Sequence, residues 1–149
     1  MIRRARFADL DAVTLYALLR MRVDVFVVEQ RCAYAELDGR DAEPGTWHLW
    51  TADERGPTAY LRVLADAADT VRIGRVCTRV DARGTGLAAV LVVDALDLAG
   101  GRPVVLDAQS HLVGFYRRHG FRVDGAEFVE DGIPHVPMRR AATGPEPPG

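Results

Sequence analysis

The chain has 149 residues, 48% of them hydrophobic and 27% charged, which indicates one globular domain with an ordinary core. Its formal net charge of -2 argues against a nucleic-acid partner, and no run of 18 apolar residues suggests a membrane span. Cys32 and Cys77 lack metal-ligand spacing, and the N-terminal stretch lacks the apolar segment of a secretory signal. We therefore expect no metal and a reduced, cytoplasmic location.

The N-terminal half predicts one helix among strands. A short strand is expected at 2–8, followed by a helix from about Asp11 to Val28 with apolar residues at helical spacing. The end of that helix, V-D-V-F-V-V-E-Q, is ambiguous because its valines also suit a strand. Three β-type stretches then follow a loop, at 46–51, 58–65 and 71–80.

The C-terminal half predicts two helices and three strands. The almost wholly apolar stretch 86–99 indicates a covered helix, 103–108 a buried strand and 111–120 a short helix ending at a glycine. Strands are expected near 121–129 and 134–138. The Pro/Gly-rich segment 141–149 is predicted to be a disordered tail behind a single domain of residues 1–140.

The resulting order, β-α-β-β-β-α-β-α-β-β, predicts an α+β fold. Three successive strands without intervening helices do not occur in a doubly wound dinucleotide-binding sheet, which alternates strand and helix. We expect a central, mixed and mostly antiparallel sheet of about six to seven strands, with helices on both faces.

The stretch D-A-R-G-T-G-L-A-A, residues 81–89, is shaped to bind a phosphate and can be aligned in two registers. Gly84-x-Gly86-x-x-Ala89 matches a dinucleotide pattern, and Asp107 lies 21 residues beyond Gly86, where a ribose-binding acid is expected. However, the preceding strand ends before the first glycine, and only about 42 residues follow Asp107. A Walker-type loop is excluded because the chain has no lysine.

The second register, Arg83-x-x-Gly86-x-Ala88, accounts for the arginine. A helix N-terminus offers unpaired N–H groups and partial positive charge, small residues leave room for a pyrophosphate, and Arg83 adds a full charge. Taken alone, the stretch could equally be a glycine-rich turn that begins a core helix.

Longer strings carry a family resemblance over about residues 1–140. R-G-T-G-L-A, the preceding V-R-I-G-R-V-C-T and the later F-Y-R-R-H-G-F resemble the GCN5-related N-acetyltransferase (GNAT) superfamily. V-F-V-V-E-Q, D-G-R-D and E-D-G-I-P-H-V-P-M resemble its ElaA-like branch. One departure is Ser110-His111, near the position where many members have an asparagine.

This resemblance implies an acetyl-CoA-dependent N-acetyltransferase that works by direct attack in a ternary complex, without a metal. It places the pyrophosphate of coenzyme A on Arg83, Gly84, Thr85, Gly86, Leu87 and Ala88, and the pantetheine arm along Val76, Cys77 and Thr78. Tyr116 is implied as general acid and coenzyme contact. His111 is a candidate general base, although a helix-start residue bonded to the backbone explains it equally well.

The acceptor is expected to be an amine of a small molecule, peptide or protein. Its candidate binding residues lie in the branch-like segments and could attract a cation: Glu29, Asp38, Asp41, Glu130, Asp131 and His135. Two other functions stay open, a non-catalytic acyl-CoA-binding module on the same fold and a small NAD(P)-binding oxidoreductase. The sequence also leaves a homodimer open.

Overall fold

The N-terminal half forms one helix and four strands in a computed structural model that describes residues 1–143. The elements are β1 (Arg3–Arg6), α1 (Ala12–Val23), β2 (Trp47–Asp53), β3 (Gly56–Ala65) and β4 (Val71–Thr78). The Asp11 carboxylate caps α1 by accepting a hydrogen bond from the Thr14 N–H at 2.7 Å. The ambiguous stretch continues α1 as a π-helix, Asp24–Glu29, and is not a strand.

The C-terminal half contains two helices and four strands. They are α2 (Leu87–Ala99), β5 (Val104–Gln109), α3 (Val113–Arg117), β6 (Arg122–Val123), β7 (Phe128–Glu130) and β8 (Ile133–Arg140). Gly100, with φ of 64°, ends α2 in the left-handed conformation that glycine adopts without strain.

The strands form one open sheet in the order β1-β2-β3-β4-β5-β8-β6, with β7 also paired to β8. Among the strands of residues 1–143, only the β4–β5 pair is parallel, so the predicted α+β class is confirmed. Eight strands form, more than the six to seven expected, because the stretch 121–129 splits into β6 and β7, both of which pair with β8. This topology also excludes the doubly wound fold on which the oxidoreductase alternative depended.

Helices cover both faces because side chains alternate along the central strands. Leu61 and Ile73 pack in one cluster with Leu91 of α2, whereas Tyr60 packs in a second cluster with Leu18 of α1.

The sheet separates between β4 and β5. These strands pair only at Val71–Val104 and Arg72–Val105 and then diverge. On the other side of β4, the pairing with β3 shifts register between Tyr60 and Arg62, opposite a bulge in which Arg75 has a φ of 55°. A cleft therefore opens at the carboxyl end of β4.

Within residues 1–143, no helix is long and apolar enough to cross a bilayer, and no cluster of three or more potential metal-ligating side chains occurs. Most of the predicted tail, residues 144–149, lies outside the described part of the chain.

Candidate active site

A cavity of about 930 Å³ occupies the cleft between β4 and β5. A second cavity of about 280 Å³ lies over the start of α2. The two adjoin, since both are lined by Thr78, Arg83, Ala88 and Phe115. Together they offer an elongated binding path that runs from the sheet cleft to a helix N-terminus.

The loop before α2 presents backbone donors to the smaller cavity. Gly84 and Gly86 have φ of 76° and 80°, and no atom lies within 4 Å of the position that a Cβ would take at either residue. No side chain caps the helix, so its first N–H groups keep no intrahelical or capping partner. Thr85 instead donates its hydroxyl to the Ala82 carbonyl within the loop, at 2.6 Å. The geometry suits a pyrophosphate.

Arg83 and Glu29, predicted to bind different ligands, bind each other. The two guanidinium nitrogens lie 2.7 and 2.8 Å from the two carboxylate oxygens, and Arg83 Nε donates to the Thr78 carbonyl at 3.1 Å. The hydrogen bonds from Arg83 lower the pKa of Glu29, and those to Glu29 raise the pKa of Arg83. Arg83 is thus held at the junction of the two cavities.

The edge of β4 that faces the cleft is free beyond Arg72. Val76, Cys77 and Thr78 line the larger cavity and have no pairing partner on β5. Their main-chain groups on this side can pair with an extended ligand as an added strand would. Cys77 itself is 5% exposed, and burial raises the pKa of its thiol to about 12.

Tyr116 lies in the wall of the same cavity. Its ring packs edge-to-face against Phe115 and Phe121, with centroids 5.0 and 5.9 Å away. Burial raises the pKa of Tyr116 to about 12. Within residues 1–143, no group forms a hydrogen bond with its hydroxyl, which is available to a ligand.

Two histidines line the cavity. His111 is exposed and lies in the turn Ser110–Leu112 that precedes α3. His135 is half-buried on β8, where its Nδ1 is 2.8 Å from the Ile133 carbonyl oxygen and its ring stacks on Phe128 at a centroid distance of 5.7 Å.

The predicted acceptor acids fall into two groups. Glu130 and Asp131, in the turn region between β7 and β8, line the cavity and form no salt bridge within the described residues. By contrast, the Asp38 carboxylate is bound by Arg62 at 2.6 and 2.9 Å. Asp41 is buried away from the cavity lining with its carboxylate against Arg22 at 2.7 Å. Asp38 and Asp41 are therefore already paired with arginines.

A buried arginine–carboxylate network explains that pairing. Arg22 is fully buried and donates to Glu36 at 2.9 Å as well as to Asp41. Sequence reasoning missed this network, although a signal was present: Arg22 lies four residues after Leu18 and three before Val25, on the apolar side of α1. An arginine in that position requires buried carboxylate partners.

The network fastens the loop 31–46 to the bulge in β4. Arg75 Nε lies 2.7 Å from a Glu36 carboxylate oxygen, and its guanidinium stands over the Tyr34 ring. Tyr34 donates its hydroxyl to Glu36. Because three arginines face three carboxylates, the network is balanced in charge, and this wall of the cavity holds a fixed position.

The divergent β4–β5 pair and the phosphate-binding loop point to a family, and a comparison of sequences decides it. A sequence model of a protein family, described as an acetyltransferase (GNAT) domain, matches residues 20–142 of this chain. The chain belongs to the GNAT acetyltransferase family. Its open sheet is the fold of that family, and the resemblance seen in the sequence is confirmed.

Relatives place the chain in the ElaA-like branch. The UPF0039 protein Rv2851c of Mycobacterium tuberculosis is 49% identical over 147 residues, covering 96% of this chain and 94% of the relative. The crystal structure of Escherichia coli ElaA superposes with a TM-score of 0.88 at 34% identity, covering 94% and 98% of the two chains. An acyl-CoA N-acyltransferase from Pseudomonas aeruginosa superposes with a TM-score of 0.90 at 43% identity, covering 95% and 99%. A GNAT fold of this kind supports acyl transfer from a CoA-linked donor.

Proposed function

We propose that this protein transfers an acetyl group from acetyl-CoA to an amine by direct attack in a ternary complex in the cytoplasm. One observation carries the proposal: the cleft between β4 and β5 joins an uncapped helix N-terminus to the free edge of a strand. That arrangement suits a ligand with a pyrophosphate at one end and an extended amide chain at the other.

Coenzyme binding uses groups that the fold leaves free. The N–H groups from Gly84 to Ala88 would bind the pyrophosphate, for which the unobstructed space beside the two glycines leaves room. Arg83 would exchange Glu29 for that pyrophosphate, since a guanidinium binds a phosphate as well as a carboxylate. Amide groups of the pantetheine arm would pair with the edge of β4 at Val76–Thr78.

The acyl group then lies at the bulge of β4. A main-chain N–H of this strand would donate to the oxygen on which negative charge develops, a contribution of about 3 kcal/mol by analogy with other oxyanion holes. Cys77 does not act as a nucleophile, because a thiol with a pKa of about 12 carries almost no thiolate at neutral pH. This is consistent with direct attack by the amine, the proposed route.

Tyr116 is the proposed general acid. Its hydroxyl remains protonated at every physiological pH because its pKa is about 12, and it has no competing partner within residues 1–143. A coenzyme A thiolate, whose conjugate thiol has an ordinary pKa of about 8.5, would accept a hydrogen bond from this hydroxyl as it leaves. Full transfer of the proton is uphill, because the pKa of Tyr116 is the higher of the two, and it requires that Tyr116 recover a proton from the acetylated nitrogen.

The acceptor is proposed to be a cationic amine. Glu130 and Asp131 line the cavity without salt-bridge partners among residues 1–143, and Glu29 becomes available when Arg83 turns to the pyrophosphate. Asp38 and Asp41 would contribute only indirectly, by holding the wall through Arg62 and Arg22.

The test is release of free thiol from acetyl-CoA with a panel of amines, comparing wild type with Tyr116→Phe. We expect turnover with at least one amine, and a loss in kcat of roughly 10²- to 10⁴-fold in the variant with unchanged affinity for CoA. Tyr16→Phe is the matched control, since Tyr16 is 73% exposed on α1. Tight binding of acetyl-CoA without turnover of any amine would instead support a non-catalytic acyl-CoA-binding module.

A further inference from the structure

We infer that His135 is the general base that removes a proton from the attacking amine. The inference rests on the proposed amine acetylation and assigns a role that the sequence pattern gave to His111.

The tautomer of His135 follows from its hydrogen bond. The Ile133 carbonyl oxygen, 2.8 Å from Nδ1, can only accept, so Nδ1 must carry a proton. In the neutral ring the lone pair is then on Nε2. Within residues 1–143, Nε2 has no hydrogen-bond partner. The strand's own carbonyl thus fixes the ring as a base with its basic atom free.

The surroundings aim that ring at the cavity. His135 lies opposite Gln109 on β5 and opposite Phe128 on β7, and the rings of Phe128 and His135 are inclined by only 20°. Gln109 and His135 both line the cavity. The stack fixes the ring plane, so the direction of Nε2 is set before a substrate arrives.

Charged and titratable groups from many segments line the cavity together with His135. From β5 onward they are Asp107 on β5, His111 before α3, Tyr116 on α3, Glu130 on β7 and Asp131 in the following turn. The chain before β5 contributes Glu29, Cys32, Tyr34, Asp38, Arg40, Arg62, Arg72, Arg75, Cys77 and Arg83. Asp107 is engaged by Arg72 at 3.3 Å. The carboxylates of Glu130 and Asp131, which form no salt bridge within residues 1–143, would draw an ammonium ion into this cavity.

The other histidines lack this combination of a fixed ring and a free nitrogen. His48 is buried, with Nδ1 2.6 Å from the Tyr60 hydroxyl and Nε2 3.0 Å from the Asp41 carbonyl, so both nitrogens are occupied. His119 packs against Phe115 and does not line the cavity. His111 lines it, but no hydrogen bond within residues 1–143 orients its exposed ring.

The proton balance is complete with two side chains. Nε2 of His135 takes a proton from the ammonium form of the acceptor, and the neutral amine nitrogen then forms the bond to the thioester carbonyl carbon. The carbon–sulfur bond breaks, the sulfur takes the proton of the Tyr116 hydroxyl, and the Tyr116 phenolate takes the remaining extra proton from the acetylated nitrogen. Solvent afterwards removes the proton from His135.

The decisive variant is His135→Asn. The asparagine side-chain N–H₂ can keep the hydrogen bond to the Ile133 carbonyl, while the basic nitrogen is lost. We expect kcat/KM for the amine to fall roughly 10²- to 10⁴-fold, with the dissociation constant for acetyl-CoA unchanged. The ionisation that limits the wild-type pH profile on its acidic side should disappear. The loss should shrink for an acceptor of low pKa that is already deprotonated at the assay pH.

His119→Gln serves as the control and should keep the wild-type profile. The inference is overturned if His135→Asn retains the acidic limb while His111→Gln removes it. It is also overturned if ¹⁵N NMR of the wild type places the proton of neutral His135 on Nε2, a readout that needs no variant to fold. If wild type turns over no amine at all, the proposed function fails, whereas turnover that is indifferent to His135 refutes only the assignment of the base.

Discussion

Replacing Glu29 by glutamine removes the ion pair that holds Arg83, and we expect it to tighten the binding of acetyl-CoA. In the free protein the two terminal guanidinium nitrogens of Arg83 donate to the Glu29 carboxylate. The pyrophosphate must displace Glu29 from these nitrogens. The free energy by which the ion pair stabilises the free protein therefore weakens the binding of acetyl-CoA by the same amount. In the glutamine variant Arg83 meets the ligand without an ionic partner, although its hydrogen bond to the Thr78 carbonyl remains.

The expected size follows from exposure. The side chains of Arg83 and Glu29 are 40% and 41% exposed, and pairs of that kind contribute about 0.2–1 kcal/mol. The two-point geometry favours the upper part of this range. The dissociation constant for acetyl-CoA should therefore fall by roughly 1.4- to 5-fold, since about 1.4 kcal/mol corresponds to a factor of ten. The KM of a cationic amine should rise, because Glu29 is a proposed acceptor group.

Isothermal titration calorimetry at two salt concentrations measures the effect, which should be smaller at high salt. Glu130→Gln is the matched control: it removes the same charge from the same cavity but not from Arg83. Weaker binding of acetyl-CoA by Glu29→Gln would refute the exchange. So would an equal gain in Glu130→Gln, since it would attribute the effect to overall charge.

Three further predictions concern stability and the reaction route. Arg22→Met should lower the free energy of unfolding by about 3 kcal/mol, the lower end of the cost of breaking a buried ion pair. The lower end applies because Arg75 still binds Glu36 and Arg62 still binds Asp41. Denaturant unfolding measures this loss, and a value under about 1 kcal/mol would contradict the prediction. Cys77→Ala should keep kcat within about threefold of wild type, because a pKa of about 12 keeps Cys77 a thiol. For the same reason, mass spectrometry of the wild type should show no acetyl-enzyme. Abolished turnover in the variant would contradict direct attack. The arginines lower the folded-state pKa of Asp38 and Asp41, so the unfolded chain binds more protons and stability should decline as pH falls through about 4 and below. Asp41→Asn should flatten that decline in acid unfolding curves, and an unchanged slope would contradict the assignment.

Local patterns were sufficient to predict the fold class. Strand alternation, the apolar helix 87–99 and the glycine punctuation gave the order of elements. The stretch 121–129 is expected as one strand, although Asp124-Gly125 within it is a turn signal. Its division depends on tertiary packing: a Cβ at Gly125 would lie 2.7 Å from Pro137 Cγ, so only glycine lets the chain approach β8 there.

The part of the site formed by backbone conformation was predictable from the sequence. The part formed by ion pairs between distant side chains was not. The glycines at 84 and 86 indicate a positive φ and an open helix start from sequence alone. The pairing of side chains that are far apart in sequence cannot be predicted from local patterns. Arg83 and Glu29, which are 54 residues apart, are an example. Asp38 and Asp41 seemed open to a substrate for the same reason, since composition cannot reveal that arginines already bind them.

The short contact between β4 and β5 has a mechanical consequence. Within residues 1–143, the half-sheet β1–β4 pairs with the half-sheet β5–β8 at two residue pairs, Val71–Val104 and Arg72–Val105, at one end of the two strands. At the other end the facing edges of β4 and β5 are not hydrogen-bonded to each other. A ligand lying along Val76–Thr78 would form main-chain hydrogen bonds with β4 where β5 does not. Amide hydrogens of these residues that point into the cleft, rather than toward β3, should exchange rapidly in the free protein and slowly in the complex. The two half-sheets should then unfold as one cooperative unit.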